Sequence, residues 1–182
     1  MPMRVISGTY RHRKLDYPEN NPSIRPTKDR IREAFFSSLG DITNKTFLDL
    51  YAGSGSIGIE SISRGANKAI FVDYDAEAIS YIKKNISSLQ IEDKCEVIKS
   101  KDLDALKSFT YSQKKFDIIY LDPPYESNCY DEALRYIFEG DILNEKGIVA
   151  IESNRHIDIN PLWNVTIREY HYGEIQVVVL RR

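Results

Sequence analysis

Apolar positions along this chain recur in two alternating periods. Near-continuous runs of β-branched and aromatic residues at Thr46–Ala52, Lys68–Tyr74, Cys95–Lys99, Phe116–Leu121 and Gly147–Glu152 predict strands. Such runs are expected of parallel strands covered on both faces. Between them the pattern turns helical over Ser56–Arg64, Ala76–Leu89, a short piece near Leu103–Phe109, and roughly Tyr130–Phe138. In the second helix Ile79, Ile82, Ile86 and Leu89 form one stripe at three- and four-residue spacing. Strand-helix alternation of this kind predicts a doubly wound α/β sheet.

The two ends depart from that alternation. Val165–His171 and Glu174–Leu180 are strand-like runs separated only by Tyr172-Gly173, which predicts a terminal antiparallel hairpin on a mostly parallel sheet. Near the front, Arg25-Pro26-Thr27 opens a helix that runs to about Leu39, with Thr27 as N-cap and Ile31, Ala34, Phe35 and Leu39 on its apolar stripe. Ahead of it lie a short β-like piece, Arg4–Ile6, and a loop-rich stretch to residue 24. The division expected is a basic N-terminal extension and helix over residues 1–40 and a main domain over residues 41–182.

Composition bounds the class. The chain has 182 residues, 42% hydrophobic and 29% charged, enough for one soluble domain with a good core. No apolar run is long enough to cross a bilayer, and Met1-Pro2-Met3-Arg4 lacks the layout of a signal peptide. Cys95 and Cys129 are too few and too far apart for a disulfide framework or a zinc site. They are expected to be free thiols in a reducing cytoplasm, and no residue cluster calls for a metal. The net charge of −2 conceals an asymmetry. Residues 1–32 hold eight Lys/Arg against three Asp/Glu, a balance of +5 that leaves −7 on the rest. A basic arm with Tyr10 and His12 interleaved suits phosphate contact, and a solvated charged face would look similar.

Two motifs carry chemistry. The first strand leads into Ala52-Gly53-Ser54-Gly55-Ser56-Ile57-Gly58 and then a helix, so glycines 53, 55 and 58 fit G-x-G-x-x-G in its strand-loop-helix setting. Gly53 and Gly55 let backbone approach a ligand, and Gly58 lets helix and strand pack closely. Asp73, at the end of the next strand, stands where a carboxylate accepts from ribose hydroxyls, while Asp75 suits a helix cap. An adenosine-type cofactor is implied. NAD shares that fingerprint, yet Asp49 beside the loop would repel a pyrophosphate and welcome a sulfonium and an amino group.

The second motif is Asp122-Pro123-Pro124-Tyr125, at the end of the run Phe116–Leu121. Neither proline nitrogen donates to a ladder, so strand pairing stops and the Pro123 carbonyl is left to accept from outside the sheet. Asp122 adds a second acceptor and Tyr125 a flat face, a set suited to a planar base with an exocyclic amine. A proline-terminated strand in a turn is the plainer alternative.

On these residues the chain resembles the class I S-adenosylmethionine-dependent methyltransferases, in the amino-methylating branch with a D/N-P-P-Y/F motif. More narrowly it resembles the RsmD-type enzymes that methylate N2 of a guanine in 16S rRNA. The resemblance runs nearly end to end, through Arg4-Val5-Ile6-Ser7-Gly8, Arg25-Pro26-Thr27 with Asp29-Arg30, Asp49–Gly55, Gly58-Ile59-Glu60, Ser63-Arg64-Gly65-Ala66, Asp122–Tyr125 and Tyr172-Gly173. It implies a Rossmann-like methyltransferase sheet with S-adenosylmethionine as cofactor. Its partner would be 16S rRNA, within the small ribosomal subunit or its precursor; a cytoplasmic monomer is expected, with a dimer left open.

Carried onto this sequence, the resemblance gives Asp49, Gly53 and Gly55 the methionine end of the cofactor, Asp73 the ribose and Asp102 the adenine edge, with Ala52 and Ser54 also among the cofactor-binding residues. Thr27, with Arg25 and Pro26, would close over the cofactor or RNA backbone. Asp122, Pro123, Pro124 and Tyr125 would hold the target base, and Arg4, Arg11, Arg13, Lys14, Arg25 and Arg30 would contact RNA. Asp102 fits its motif only loosely and is equally a helix-capping residue. Three alternatives stay open: a DNA adenine-N6 methyltransferase, an NAD-dependent oxidoreductase and a non-catalytic RNA-binding assembly factor.

Overall fold

The computed structural model describes residues 3–20, 29–124 and 129–182. Its elements follow the predicted alternation: α1 (Asp29–Leu39), β1 (Thr46–Leu50), α2 (Ser56–Ser63), β2 (Lys68–Asp73), α3 (Ala76–Leu89), β3 (Cys95–Lys99), α4 (Asp102–Tyr111), β4 (Phe116–Leu121), α5 (Cys129–Glu139), β5 (Leu143–Ser153), β6 (Thr166–Tyr172) and β7 (Ile175–Arg181). The strands form one sheet in the order β3-β2-β1-β4-β5-β7-β6. β1 to β5 pair in parallel, and β7 is antiparallel to both β5 and β6. This is the Rossmann-like α/β sheet with a C-terminal antiparallel hairpin.

Strand geometry explains the two cores. Successive side chains of a strand point to opposite faces, so Phe47 and Ile118 join the cluster beneath α1, α2 and α3, while Leu48 and Ile119 join that beneath α4 and α5. Because both faces are covered, the parallel strands are apolar at nearly every position. Asp75 caps α3 through its side chain, which accepts from Glu77 N and Ala78 N. Among the described residues no helix is long and apolar enough to cross a membrane.

Several boundaries move from their expected places. β5 begins at Leu143 instead of Gly147, because Phe116 pairs with Leu143 and a register shift then brings Ile118 opposite Ile148. Asn144, Glu145 and Lys146, half-buried or exposed, hid this extension in the apolar pattern. The hairpin strands each begin one residue later than expected, at Thr166 and Ile175. Thr27 and the expected start of the first helix lie outside the described residues.

The amino-terminal piece is a tight hairpin docked on the domain. Val5 N donates to Arg13 O at 2.9 Å and Leu15 N to Met3 O at 3.0 Å, with Arg4 bridged to Lys14. Its attachment point is Glu60, fully buried on α2, which accepts from Ile6 N at 2.8 Å and Ser7 N at 3.0 Å. The same carboxylate receives Arg64 Nε at 2.8 Å and lies 3.9 Å from Arg32 Nε.

Candidate active site

The strand order turns back on itself between β1 and β4, since β2 and β3 lie to one side of β1 and β4, β5, β7 and β6 to the other. In an open α/β sheet, connections leave that point in opposite directions and open a crevice at the carboxyl ends of the strands. A pocket lies there, with walls that include Asp49, Ala52, Gly53 and Ser54 from the loop after β1 and Asp122 from the end of β4. Tyr51, Ser56, Ile57 and Tyr120 complete the described lining. Residues 73 positions apart in sequence thus face one cavity.

The loop is held open by its own backbone. Tyr51, Gly53 and Gly55 take left-handed φ values of 70°, 54° and 77°. Gly53 N donates to Asp73 Oδ2 at 2.8 Å, and Asp75 N donates to Asp73 Oδ1 at 2.9 Å. Asp73 therefore braces the glycine loop from the end of β2, its carboxylate in contact with the loop backbone. Gly58 sits directly against the sheet: a β-carbon there would come within 2.3 Å of the Phe71 ring.

Asp49 is the most perturbed of these groups. It is buried, its Oδ2 accepts from Gly58 N at 2.9 Å, and its carboxyl pKa is raised to about 8. Burial is the main cause and the nearby Asp73 adds to it, while the Gly58 hydrogen bond opposes both. Asp73 is raised for the same leading reason, with the Asp75 and Gly53 N–H bonds opposing. The described lining holds two acidic side chains, Asp49 and Asp122, and no basic one, which suits a cation whose arrival would favour the ionised form of Asp49. The diphosphate of a dinucleotide would meet both acids there.

Tyr120 carries the polar link behind the pocket. Its ring packs on Phe35 of α1, with centroids 4.9 Å apart, and its hydroxyl donates to the buried Glu152 Oε2 at 2.7 Å. Burial and then the charge of Glu152 push the phenol well above its ordinary range, so it stays a neutral donor. Sequence patterning could not mark either residue, because the two meet across neighbouring strands.

A family model described as conserved hypothetical protein 95 matches residues 3–181. The chain belongs to that family, the RsmD-type methyltransferases. The ribosomal RNA small subunit methyltransferase D of Haemophilus influenzae is 35% identical over 155 residues, spanning 84% of this chain and 79% of that one. The Bacillus subtilis protein YlbH is 34% identical over 183 residues, 99% of either chain. The solved structure of yhhF from Escherichia coli aligns at a TM-score of 0.85 with 28% identity, covering 100% of this chain and 98% of that one.

Within this RsmD-type fold the other expected site residues fall into three groups. Asp102 begins α4 and its Oδ2 accepts from the hydroxyl of the pocket residue Tyr51 at 2.6 Å, which ties it to the site at one remove. Asp122 is half-buried, Pro123 buried and Pro124 exposed as the chain leaves β4. Tyr125, Arg25 and Thr27 lie outside the described residues.

The described basic residues lie on two elements that touch, since Arg4 of the N-terminal hairpin is 3.9 Å from Asp29 at the start of α1. Arg4, Arg11, Arg13 and Lys14 are exposed on the N-terminal hairpin, whose bend packs against the C-terminal ends of α2 and α3 through Thr9 N to Ser63 O and Arg13 Nη2 to Ser88 O, each 2.8 Å. The bend at Thr9 therefore meets the end of α2 remote from the cofactor loop, while Asp16 farther along approaches that loop through Asn85. Arg30, exposed on α1 next to Asp29, is within electrostatic reach of Tyr172 at the end of β6. The +5 balance of the first 32 residues also includes Arg32, which is buried and donates to Arg4 O and Asp29. The polar anchors Glu60 and Asn85 were missed as well; Glu60 stands in the quoted Gly58-Ile59-Glu60, and nothing local marks Asn85.

Proposed function

We propose that the protein transfers a methyl group from S-adenosylmethionine to the exocyclic N2 amine of a guanine in 16S rRNA, on the small ribosomal subunit or its precursor. One observation carries the reading: Asp49 of the cofactor loop and Asp122 of the β4 exit line the same pocket. A methyl donor and an amine acceptor held by those two groups would be neighbours. The fit to the cofactor rests on the acidic lining and on left-handed Gly53 and Gly55, where backbone comes close to a ligand.

When bound, S-adenosylmethionine supplies an electrophilic methyl group on a sulfonium centre. Asp49, Gly53 and Gly55 would hold its methionine end, Asp73 its ribose and Asp102 the adenine edge, with Ala52 and Ser54 also among the residues that would bind it. Asp122 and the Pro123 carbonyl accept the two N–H bonds of the guanine amine. The amine lone pair is conjugated into the ring, and these two acceptors would favour a pyramidal nitrogen with its lone pair released from the ring. They also stabilise the positive charge that develops on nitrogen, and the proton lost afterwards goes to Asp122 or to water. Pro124 stiffens the turn, and Tyr125 stacks on a base that is extruded or already unpaired. Thr27 and Arg25 close over the site, and Arg4, Arg11, Lys14 and Arg30 meet RNA phosphates. Arg13 shares its guanidinium with the Ser88 carbonyl.

The test offers labelled S-adenosylmethionine to the purified protein with unmodified small subunits, free 16S rRNA or duplex DNA, and digests the products. N2-methylguanosine from rRNA or subunits is expected. Label only as N6-methyladenine in DNA overturns the proposal.

A further inference from the structure

A second groove opens beyond β5 at the same carboxyl edge as the pocket. Asn154, Arg155 and His156 form one wall, and His171, Gly173 and Gln176 of the β6–β7 hairpin belong to the other. β5 is the neighbour of β4, with Leu121 paired to Ile151, so the chain leaves β5 beside Asp122. Neighbouring strands lie about 4.8 Å apart, which sets β7, two strands from β4, at roughly 10 Å from the target-base position. The nearer wall, Asn154 to His156, follows β5, only one strand spacing from β4, so the groove is within reach of a base on an adjoining nucleotide.

The wall is built and not merely exposed. Ser153 Oγ accepts from Arg155 N at 3.0 Å and donates to Arg155 O at 2.8 Å, and the Gln176 side-chain amide donates to the same carbonyl. The Arg155 guanidinium lies 5.2 Å from the centroid of the Tyr130 ring. Tyr130 in turn is within electrostatic reach of Asp122, Arg155 and Glu152. His156 and His171 are 74% and 66% exposed, each beside a carboxylate, Asp158 at 3.3 Å and Glu169 at 3.6 Å. With Glu174 also at the groove, its charge is mixed, which disfavours a phosphate and leaves planar surfaces as its main resource.

We propose that this groove binds the base of an unpaired RNA nucleotide next to the target guanine, stacked on the Arg155 guanidinium and the rings of His156 and His171. Single-stranded RNA is commonly read in this way, by stacking on aromatic side chains and arginine planes. The inference rests on the proposed RNA substrate. It assigns the groove to the neighbouring base, whereas the pocket at Asp122 takes the target itself.

The test measures binding of a fluorescein-labelled single-stranded RNA to the full chain at several salt concentrations, with methylation of 16S rRNA assayed in parallel. Arg155→Ala and the double variant His156→Ala/His171→Ala are each expected to weaken RNA binding about fivefold or more. Cofactor affinity and the slope of log K against log salt should not change. Arg155→Lys, which keeps the charge but loses the plane, should behave like Arg155→Ala. A slope reduced by about 0.7 per variant, or normal binding by Arg155→Lys, identifies a phosphate contact and overturns base stacking. Unchanged binding in all variants overturns the groove as an RNA site while methylation by the parent protein still stands. A parent protein that binds RNA, weakened as expected by the variants, yet methylates none overturns the proposed reaction and leaves the groove intact. One that does neither overturns both.

Discussion

Asn85 and Asp16 clasp each other through two hydrogen bonds: Asp16 N donates to Asn85 Oδ1 and Asn85 Nδ2 to Asp16 O, both at 2.8 Å. Asn85 is buried, and its Nδ2 also points at the Ser54 carbonyl of the cofactor loop, 3.4 Å away. One side chain on α3 thus joins the N-terminal segment to the loop that lines the pocket. We expect Asn85→Ala to cost about 1–3 kcal/mol, because backbone groups lose their partners. A fall in the urea midpoint at unchanged m value would register it. A weaker cofactor Kd should accompany the loss.

Asp122 should separate catalysis from cofactor binding. Asp122→Ala is expected to lower kcat by about 10²–10³-fold, the scale for one lost group that stabilises developing charge. The cofactor Kd should change far less. Asp122→Asn keeps an acceptor oxygen and should retain more turnover than the alanine variant. Near-normal kcat for Asp122→Ala would defeat the mechanism.

Asp49 makes a pH prediction of definite sign. Its folded pKa of about 8 lies above the ordinary carboxylate value, so between about pH 4 and that value the native state holds the extra proton. Its contribution to stability is therefore present at low pH and is lost as pH rises through that window, by up to about 1.4 kcal/mol per pH unit. Denaturation curves of the cofactor-free protein should show this slope flattened in Asp49→Asn. A cationic ligand favours the ionised carboxylate, so cofactor affinity should climb as pH approaches about 8. Calorimetry in buffers of different ionisation enthalpy should detect the released proton.

Glu60 answers for a buried cation. Arg32 is fully buried, and its Nε and Nη1 make no hydrogen bond among the described residues, with Glu60 the nearest compensating buried charge. Burial is also the leading cause of its lowered pKa, which Glu60 opposes. Glu60→Ala should cost about 3–5 kcal/mol, the penalty for stranding a buried charge. Limited proteolysis should then cut the N-terminal hairpin, which has lost its acceptors for Ile6 N and Ser7 N.

Gly58→Ala tests the close approach of α2 to the sheet. The added methyl meets the fully buried Phe71 ring at 2.3 Å, so overpacking of about 1–3 kcal/mol is expected. Phe71→Leu in the same chain should recover part of it, as a thermal melt of the double variant would show.

The sequence by itself determined whatever depends on near neighbours. Apolar runs and three- and four-residue stripes located the strands and helices of the body, because period is a local property of the chain. The spacing from Gly53 to Asp73 marked a glycine loop and the acid at the end of the next strand, since one helix and one strand intervene, but that this acid braces the loop was visible only in the fold. The Asp122-Pro123-Pro124 exit was legible because proline ends pairing wherever it stands. Tertiary structure alone decided which distant residues meet. It set β7 between β5 and β6, and it extended β5 back to Leu143 through a register shift. It spent Glu60 and Asn85 on backbone 53 to 69 positions away, and it gave Arg13 the Ser88 carbonyl of α3 as a partner. Such pairings join buried polar groups across the fold, and no local period records which partner each will find.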